Sequence, residues 1–189
     1  KLFTTGINNV ITNQKVIPAH LMDPKIKNRS RLFYLMANIE ASLFKGENNW
    51  PLMLDTDGYI AEGSGDNFFI VKNNTLISPE GRNMLRGISR DYVMNDLCKS
   101  LNINVVEKNI EPYDVYEADE AFISATPFCM LPVTSLNSLK IGDGKPGKVF
   151  NELIQLWSKK TGVDIIKQIE SWNKKIEDTK SKVTPYKFK

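Results

Sequence analysis

Apolar positions along the chain alternate between a strand-like period of about two and a helical period near three and a half. Residues 2–18, LFTTGINNVITNQKVIP, are rich in β-branched side chains with one Gly-Ile-Asn-Asn interruption, which predicts two short strands, or a strand and a loop. Asp23-Pro24 marks a turn just before Lys25. Leu32, Leu35, Met36, Ile39 and Leu43 then recur at helical spacing, predicting a helix with its apolar stripe in the core. Ser30 is its expected N-cap and Gly46 its stop, so Lys27 would lie just ahead of a buried helix, on a segment entering the core. Residues 52–54 read as a strand, 55–58 (DTDG) as a turn and 59–62 as the returning strand. Residues 68–71 and 75–78 form a hairpin around Asn73-Asn74. After a loop over 79–86, a helix is predicted at 89–101, with Tyr92, Val93, Leu97 and Leu101 on one face. A strand at 103–107, a loop with a short helix at 111–118, a strand at 121–124 and a turn cluster at 142–147 (GDGKPG) follow. Two amphipathic helices are predicted near the end, 149–160 closed by Gly162, and 164–176 with Ile165, Ile169, Trp172 and Ile176 on one face. The Lys-rich tail beyond reads as solvated and frayed. No repeat and no low-complexity linker divides the chain.

Composition changes this picture little. The 189 residues suit one domain with a real core, and 41% hydrophobic with 25% charged residues is ordinary for a globular protein. A net charge of +3 gives no reason to propose nucleic acid or a membrane as partner. No apolar run approaches the length of a membrane span and no signal peptide opens the sequence. Cys98 and Cys129 make neither a metal spacing nor a disulfide framework, which fits a reducing cytoplasm. Cys98 falls on the apolar side of a helix, and Cys129 has no acid–base partner that would make it a nucleophile. His20 is the sole histidine and reads as a surface residue, so no histidine pair or metal cluster is available. Trp50, Trp157 and Trp172 read as packing residues. The chain opens on Lys1 rather than Met, as a piece of a longer protein would.

The chemistry rests on one lysine and three loops. Glu62 ends a short strand in GYIAEGSGDNFFIV. Leu85-Arg86-Gly87-Ile88-Ser89-Arg90 runs directly into a helix, and a glycine followed by backbone N–H groups and a hydroxyl at a helix N-terminus is a ready anion site. Ser124-Ala125-Thr126-Pro127 closes an apolar strand. Taken singly, each has a plain reading: a solvated surface glutamate, an ordinary N-cap, a simple turn.

Taken in order, Lys27, EGSGDNFF, LRGISR, FISATPFCMLPV and IGDGKPG resemble the class IV aminotransferase family, fold type IV of the pyridoxal 5'-phosphate (PLP) enzymes. That family includes branched-chain and D-amino-acid aminotransferases and aminodeoxychorismate lyase. The resemblance covers about residues 1–161. It implies an α+β fold, a mixed sheet or pseudo-barrel with flanking helices, with 1–162 as the PLP-binding large domain and 163–189 as a C-terminal helix and tail. Lys27 matches the family's Schiff-base lysine, with Lys25 as the fallback. Glu62 matches the carboxylate that pairs with the protonated pyridine nitrogen. Gly87, Ile88 and Ser89 match the phosphate loop, with Ser89 where many members have Thr. Thr126 matches a second phosphate-side hydroxyl, Ser124 and Ala125 line the same turn, and Pro127 falls near the substrate carboxylate. The implied activity is PLP-dependent transamination between a branched-chain or similar amino acid and a 2-oxo acid, by a cytoplasmic homodimer. A PLP lyase of the aminodeoxychorismate type, or a catalytically incomplete binding module, are the alternatives.

The chain departs from the family pattern in two places. Arg31 stands about where many members carry a tyrosine that contacts the cofactor's phenolic oxygen, and Tyr34 comes one turn later. Arg29 or Arg31 could bind a carboxylate instead, against a plain reading as solvated or salt-bridged arginines. No stretch of the sequence matches the family's small N-terminal domain, which supplies an arginine to the phosphate and part of the substrate pocket. GDGKPG could close over substrate, as its family counterpart does, or be a plain turn.

Overall fold

The computed structural model describes residues 1–180, and the side-chain environments of residues 1–172. Six strands close into a barrel in the order β3-β2-β1-β8-β7-β4. These are β1 (Ile7–Ile11), β2 (Asn49–Leu54), β3 (Ile60–Gly63), β4 (Asn67–Lys72), β7 (Glu120–Ala125) and β8 (Cys129–Leu136). The ring shuts through one register pair, Glu62 opposite Asn67, which joins β3 to β4. β1 runs parallel to both its neighbours and the other ring contacts are antiparallel, so the sheet is mixed. β5 (Thr75–Pro79) extends the sheet from β4, β6 (Asn104–Lys108) lies parallel to β5, and β9 (Leu139–Lys140) borders β8. This is the α+β architecture the resemblance implies.

Large side chains fill the core. Phe68, Phe69, Phe122 and Phe150 are fully buried; the Phe69 and Phe122 rings stack at 5.1 Å, and Phe150 reaches Phe122 at 6.0 Å. Phe150 belongs to α6 (Lys148–Thr161), whose first turn is capped from a distance: the Glu120 carboxylate accepts the N–H groups of Val149 at 2.9 Å and Phe150 at 3.0 Å. Gly162 ends α6 in the left-handed conformation, as predicted. The hairpin at Asn73-Asn74 forms with both residues at positive φ, the geometry of a two-residue hairpin turn. The helix predicted at 89–101 begins one residue earlier, as α3 (Ile88–Tyr92), and continues through a π-helical turn (Val93–Leu97) into α4 (Cys98–Ser100). The short helix at 111–118 is α5 (Pro112–Tyr116), with Glu111 and Asp114 capping its first turn.

Three expectations change. Leu2–Thr5 is a single helical turn, α1, and not a strand, and β1 follows it. β8 is a strand the pattern did not announce, because Pro132 sits inside its run and a proline argues against a central strand; its pairing with β1 starts only at Val133, just past the proline. The largest change is at α2 (Leu32–Ser42), which packs on the outside of β2 and β3 with Ala37 among Val16, Met53 and Ala61, and Phe33 and Tyr34 against them; Ala41 is also buried. Small residues let the helix approach closely, so the predicted apolar stripe faces away: Leu32, Leu35, Met36, Ile39 and Leu43 are 45–79% exposed. Ser30 does not cap α2, whose N-cap is Arg31, and the helix stops at Ser42, before Gly46. Lys27 is therefore exposed, on a loop outside the core.

At the C-terminal end, α7 (Ile165–Lys180) buries Ile165 and packs Ile169 against the main core, whereas Trp172 is half exposed and does not act as a packing residue. Trp50 meets Phe128 edge-on at 5.8 Å and Trp157 meets Tyr92 at 5.0 Å. The predicted place of Ile176 on the α7 face and the reading of the tail at 181–189 lie outside the described residues. No described helix is long and apolar enough to cross a membrane.

Candidate active site

Glu62 owes its place to the closure of the barrel. It is the last paired residue of β3 on the β4 side, the Gly63-Ser64-Gly65-Asp66 turn follows at once, and Asn67 returns opposite it. A Cβ on Gly63 would lie 2.2 Å from Asp66 Oδ1, so the turn requires glycine there. The Glu62 side chain is 4% exposed and both its oxygens are held. The Tyr34 hydroxyl donates to Oε1 at 2.6 Å and the Leu85 backbone N–H donates to Oε2 at 3.1 Å. Burial pushes the Glu62 carboxyl up to about 7; those two hydrogen bonds, then the charges of Arg31 and Lys27, act in the opposite direction. The same burial, with the Glu62 charge, holds the Tyr34 phenol protonated well above its usual range. The Arg31 guanidinium lies 4.7 Å above the Tyr34 ring.

Glu62 opens onto a cavity of about 510 Å³. Lys27, Arg31, Glu62, Gly87, Ile88, Ser89 and residues 124–127 all line it. Lys27 and Arg31 come from the loop before α2 and Glu62 from β3; Gly87, Ile88 and Ser89 come from the start of α3, and 124–127 from the end of β7. The loop carrying Lys27 is built by side chains that accept backbone N–H groups, Asp23 from Lys25 at 3.0 Å and Asn28 from Ser30 at 2.7 Å. Lys25, the fallback, is held in an ion pair with Asp23 at 2.7 Å and is not among the lining residues. Arg29 does not line the cavity either.

The wall made by α3 is suited to an anion. Gly87 is the N-cap, in extended conformation, and no side chain caps the helix. Ser89 is 9% exposed, and Ile88 points outward at 87%. Arg90 anchors this first turn to the sheet: its Nε donates to Ser78 Oγ at 3.0 Å and its Nη2 to Glu107 at 2.7 Å. From β7, Ser124 presents an Oγ that is buried and has no hydrogen-bond partner at the cavity wall. A buried hydroxyl without a partner is costly and marks a place where a ligand would satisfy it.

Tyr34, Asp66, Asn67 and Leu85 are among the cavity residues to which the sequence assigned no role. Tyr34 sits three residues after Arg31, on the same helix face, and that spacing was its signal. Asp66 and Asn67 lie inside the EGSGDN motif, but only the folded turn shows what they touch. Asp66 is buried with Oδ1 unpartnered; burial, then the Glu62 charge, pushes its carboxyl up to about 7 against the hydrogen bond from Gly65 N–H. Its folded state therefore holds a proton that the unfolded chain releases near pH 4. Stability contributed by this group is full below that point and falls as pH rises toward 7. Asp66→Asn should stabilise the protein by roughly 3 kcal/mol more at pH 8 than at pH 5, read by urea unfolding. An effect of equal size at both pH values would refute a protonated Asp66.

Other expectations are settled by position. GDGKPG packs against Asp119 and Glu120, where a Cβ on Gly142 or Gly147 would collide with them. That is the start of β7, about 16 Å along the strand from Ala125, so the segment is a turn that seats α6 and does not close over the cavity. Cys98 is buried in the core, and burial pushes its thiol up to about 12; Cys129 is half-buried with its thiol also raised, which disfavours a nucleophile. His20 is exposed. Among the described residues no His, Cys, Asp and Glu cluster could hold a metal ion.

Comparison with known proteins agrees with this geometry. The putative branched-chain-amino-acid aminotransferase of Methanocaldococcus jannaschii is 34% identical over 149 residues, covering 78% of this chain and 51% of that protein. The branched-chain-amino-acid aminotransferase of Pseudomonas aeruginosa is 40% identical over 102 residues, covering 54% of this chain and 33% of that one. The chain thus spans about half or less of the length of these relatives. Among solved structures, the T.th. branched-chain amino acid aminotransferase with pyridoxamine 5'-phosphate superposes with a TM-score of 0.77 at 30% identity, over 81% of this chain and 50% of that one. The same enzyme complexed with 4-methylvaleric acid gives 0.77 over 82% and 51%. The family model described as amino-transferase class IV matches residues 4–136, a span running from α1 through every strand of the barrel. With that match over most of its length, the chain belongs to the class IV aminotransferase family.

Proposed function

We propose that this chain is the PLP-binding large domain, residues 1–162 with a C-terminal helix and tail, of an aminotransferase that moves the amino group of a branched-chain or similar amino acid to a 2-oxo acid. The observation that carries the reading is the meeting, in one cavity, of a loop lysine, a buried carboxylate and an uncapped helix N-terminus. The cavity suits PLP in size and in donors. Its volume matches a small cofactor, the start of α3 offers free N–H groups to a phosphate, and Ser124 Oγ is a buried hydroxyl in want of a partner.

PLP, when bound, supplies an aldehyde carbon that carries the amino group and a ring that draws electrons from the carbon beside it. The chain's residues do the rest. Gly87, Ile88 and Ser89 hold the phosphate, with Ser124, Ala125 and Thr126 completing the turn on the other side. Glu62, as a carboxylate, keeps the ring nitrogen protonated. Tyr34 and Leu85 orient that carboxylate and favour its charged form. Lys27 lines the cavity, and its amine would be the group that holds the cofactor and, once free, the base that carries a proton. Arg31 and Pro127 line the cavity and would meet the substrate carboxylate. The solved T.th. relative holds pyridoxamine 5'-phosphate and 4-methylvaleric acid, an acid with a branched chain, which supports both the cofactor and the substrate class. No observation favours the lyase alternative.

The test is an absorbance spectrum of the protein with PLP, before and after a panel of L- and D-amino acids. A band near the visible edge that is lost to leucine, isoleucine or valine is the expected result. No band with PLP, from this chain and from the longer protein alike, would defeat the reading.

The proposal extends to a homodimer in the cytoplasm. Cys98 and Cys129 are free thiols. The exposed stripe Leu32, Leu35, Met36, Ile39 and Leu43 runs along the helix whose first turn lines the cavity, and a row of large apolar side chains of this kind fits a protein interface. Light scattering should give twice the chain mass, and Leu35→Glu with Ile39→Glu should shift it toward monomer. A monomer at micromolar concentration would overturn this part.

A further inference from the structure

We infer that Asn67 is a positioning residue that fixes the distance between the Glu62 carboxylate and the anion-binding start of α3; the inference rests on the cofactor reading above. Four contacts carry it. Asn67 is the residue opposite Glu62 in the single pair that joins β3 to β4, and it is also in register with Ser124 on β7. Its side-chain Nδ2 donates to the Leu85 carbonyl at 2.8 Å. The N–H of that same Leu85 donates to Glu62 Oε2 at 3.1 Å. Its Oδ1 fills the space a Cβ on Gly87 would take, at 2.3 Å, so the phosphate-loop backbone rests directly on the carboxamide.

These contacts make a closed circuit. Backbone pairing fixes Asn67 to Glu62, the Asn67 carboxamide fixes Leu85, and Leu85 returns to Glu62. Gly87 and the first turn of α3 follow Leu85 two residues later. Arg90 holds the far side of that turn to β5 and β6. A ligand that is rigid between ring nitrogen and phosphate needs both its ends met at one fixed separation, and a displacement of about 1 Å at either is costly. Asn67 is 5% exposed, with its donor satisfied, as a residue that fixes geometry should be. Aspartate has the same shape but no donor. At this position it would set a carboxylate against the Leu85 carbonyl and beside two buried carboxyls.

The test compares two ligands in each variant, PLP and pyridoxal, which lacks the phosphate. Dissociation constants are read by absorbance or fluorescence titration, without turnover. Asn67→Asp and Asn67→Ala should weaken PLP by about tenfold or more while changing pyridoxal much less, so that the preference for the phosphorylated ligand falls. Gly87→Ala, which pushes on the carboxamide and removes no polar group, should do the same. Asn137→Ala, which removes a part-buried hydrogen bond to Ile11 N–H away from the cavity, should lower stability and keep the preference. A wild-type ratio of the two constants in folded Asn67→Asp and Gly87→Ala would overturn the inference. Failure of the wild-type chain and of the longer protein to bind PLP would instead defeat the cofactor reading on which it stands.

Discussion

Lys27→Ala is expected to abolish the covalent attachment of PLP and to lower transamination roughly 10³-fold or more. Two functions are lost at once: the amine that bonds the cofactor and the base that carries a proton across it, the second alone worth about 10² to 10⁴. Lys25 cannot take over, because Asp23 holds its ammonium at 2.7 Å and it does not line the cavity. Borohydride treatment followed by peptide mass analysis should place PLP on Lys27 in the wild type and on no lysine in the variant. Lys25→Ala should behave as wild type. The fold should survive Lys27→Ala, since the side chain is exposed and lies outside both hydrophobic clusters. Stability within about 0.5 kcal/mol of wild type is the matching expectation, as for an ordinary surface substitution. A variant that still carries PLP after borohydride would move the role to another lysine.

The location of that lysine shows how far the chain can be read without coordinates. Individual strands and helices were legible where turn chemistry is local. Asn73-Asn74, Gly58 after DTD, Gly162 and the EGSGD turn each dictate backbone geometry by themselves, and the element ends beside them fall within a residue or two of the reading. The order of motifs likewise identified residues from four separate segments that meet in the cavity. What was not legible depends on tertiary packing. The spacing of Leu32, Leu35, Met36, Ile39 and Leu43 correctly predicts a helix but cannot say which face is covered, and Ala37, small enough for close approach to Met53 of β2 and Ala61 of β3, won the contact with Phe33 and Tyr34 beside it. β8 escaped because Pro132 is a local argument against a strand, overridden by pairing with β1 and β7 on its two edges. Tyr34 and Asn67 were visible as letters, yet their roles depend on a hydrogen bond to Glu62 and one to Leu85, contacts that cross 28 and 18 positions of chain.

Glu62→Gln is expected to separate activity from stability in opposite directions. The carboxamide can keep the local network: Oε1 accepts from Leu85 N–H, and Nε2 donates to the Tyr34 hydroxyl in place of accepting from it. Packing is nearly unchanged, so the fold has no reason to fail. A buried carboxyl pushed up to about 7 costs stability as pH rises from about 4.5 toward 7, and the variant removes that cost. It should therefore be more stable than wild type at pH 8 by on the order of 3 kcal/mol, with a smaller gain at pH 5. Turnover should fall about 10²- to 10³-fold, the usual loss when a charge aimed at the reacting system is removed from a water-poor site. PLP affinity should fall much less, because the phosphate contacts of 87–89 and 124–126 are untouched. The wild-type chain thus carries an unstable buried acid at the point where the barrel closes, and the chemistry accounts for its presence. Urea unfolding at two pH values beside single-turnover rates measures both halves. Equal stability at pH 8 would show that Glu62 is already ionised at no cost, and unchanged turnover would remove it from the mechanism.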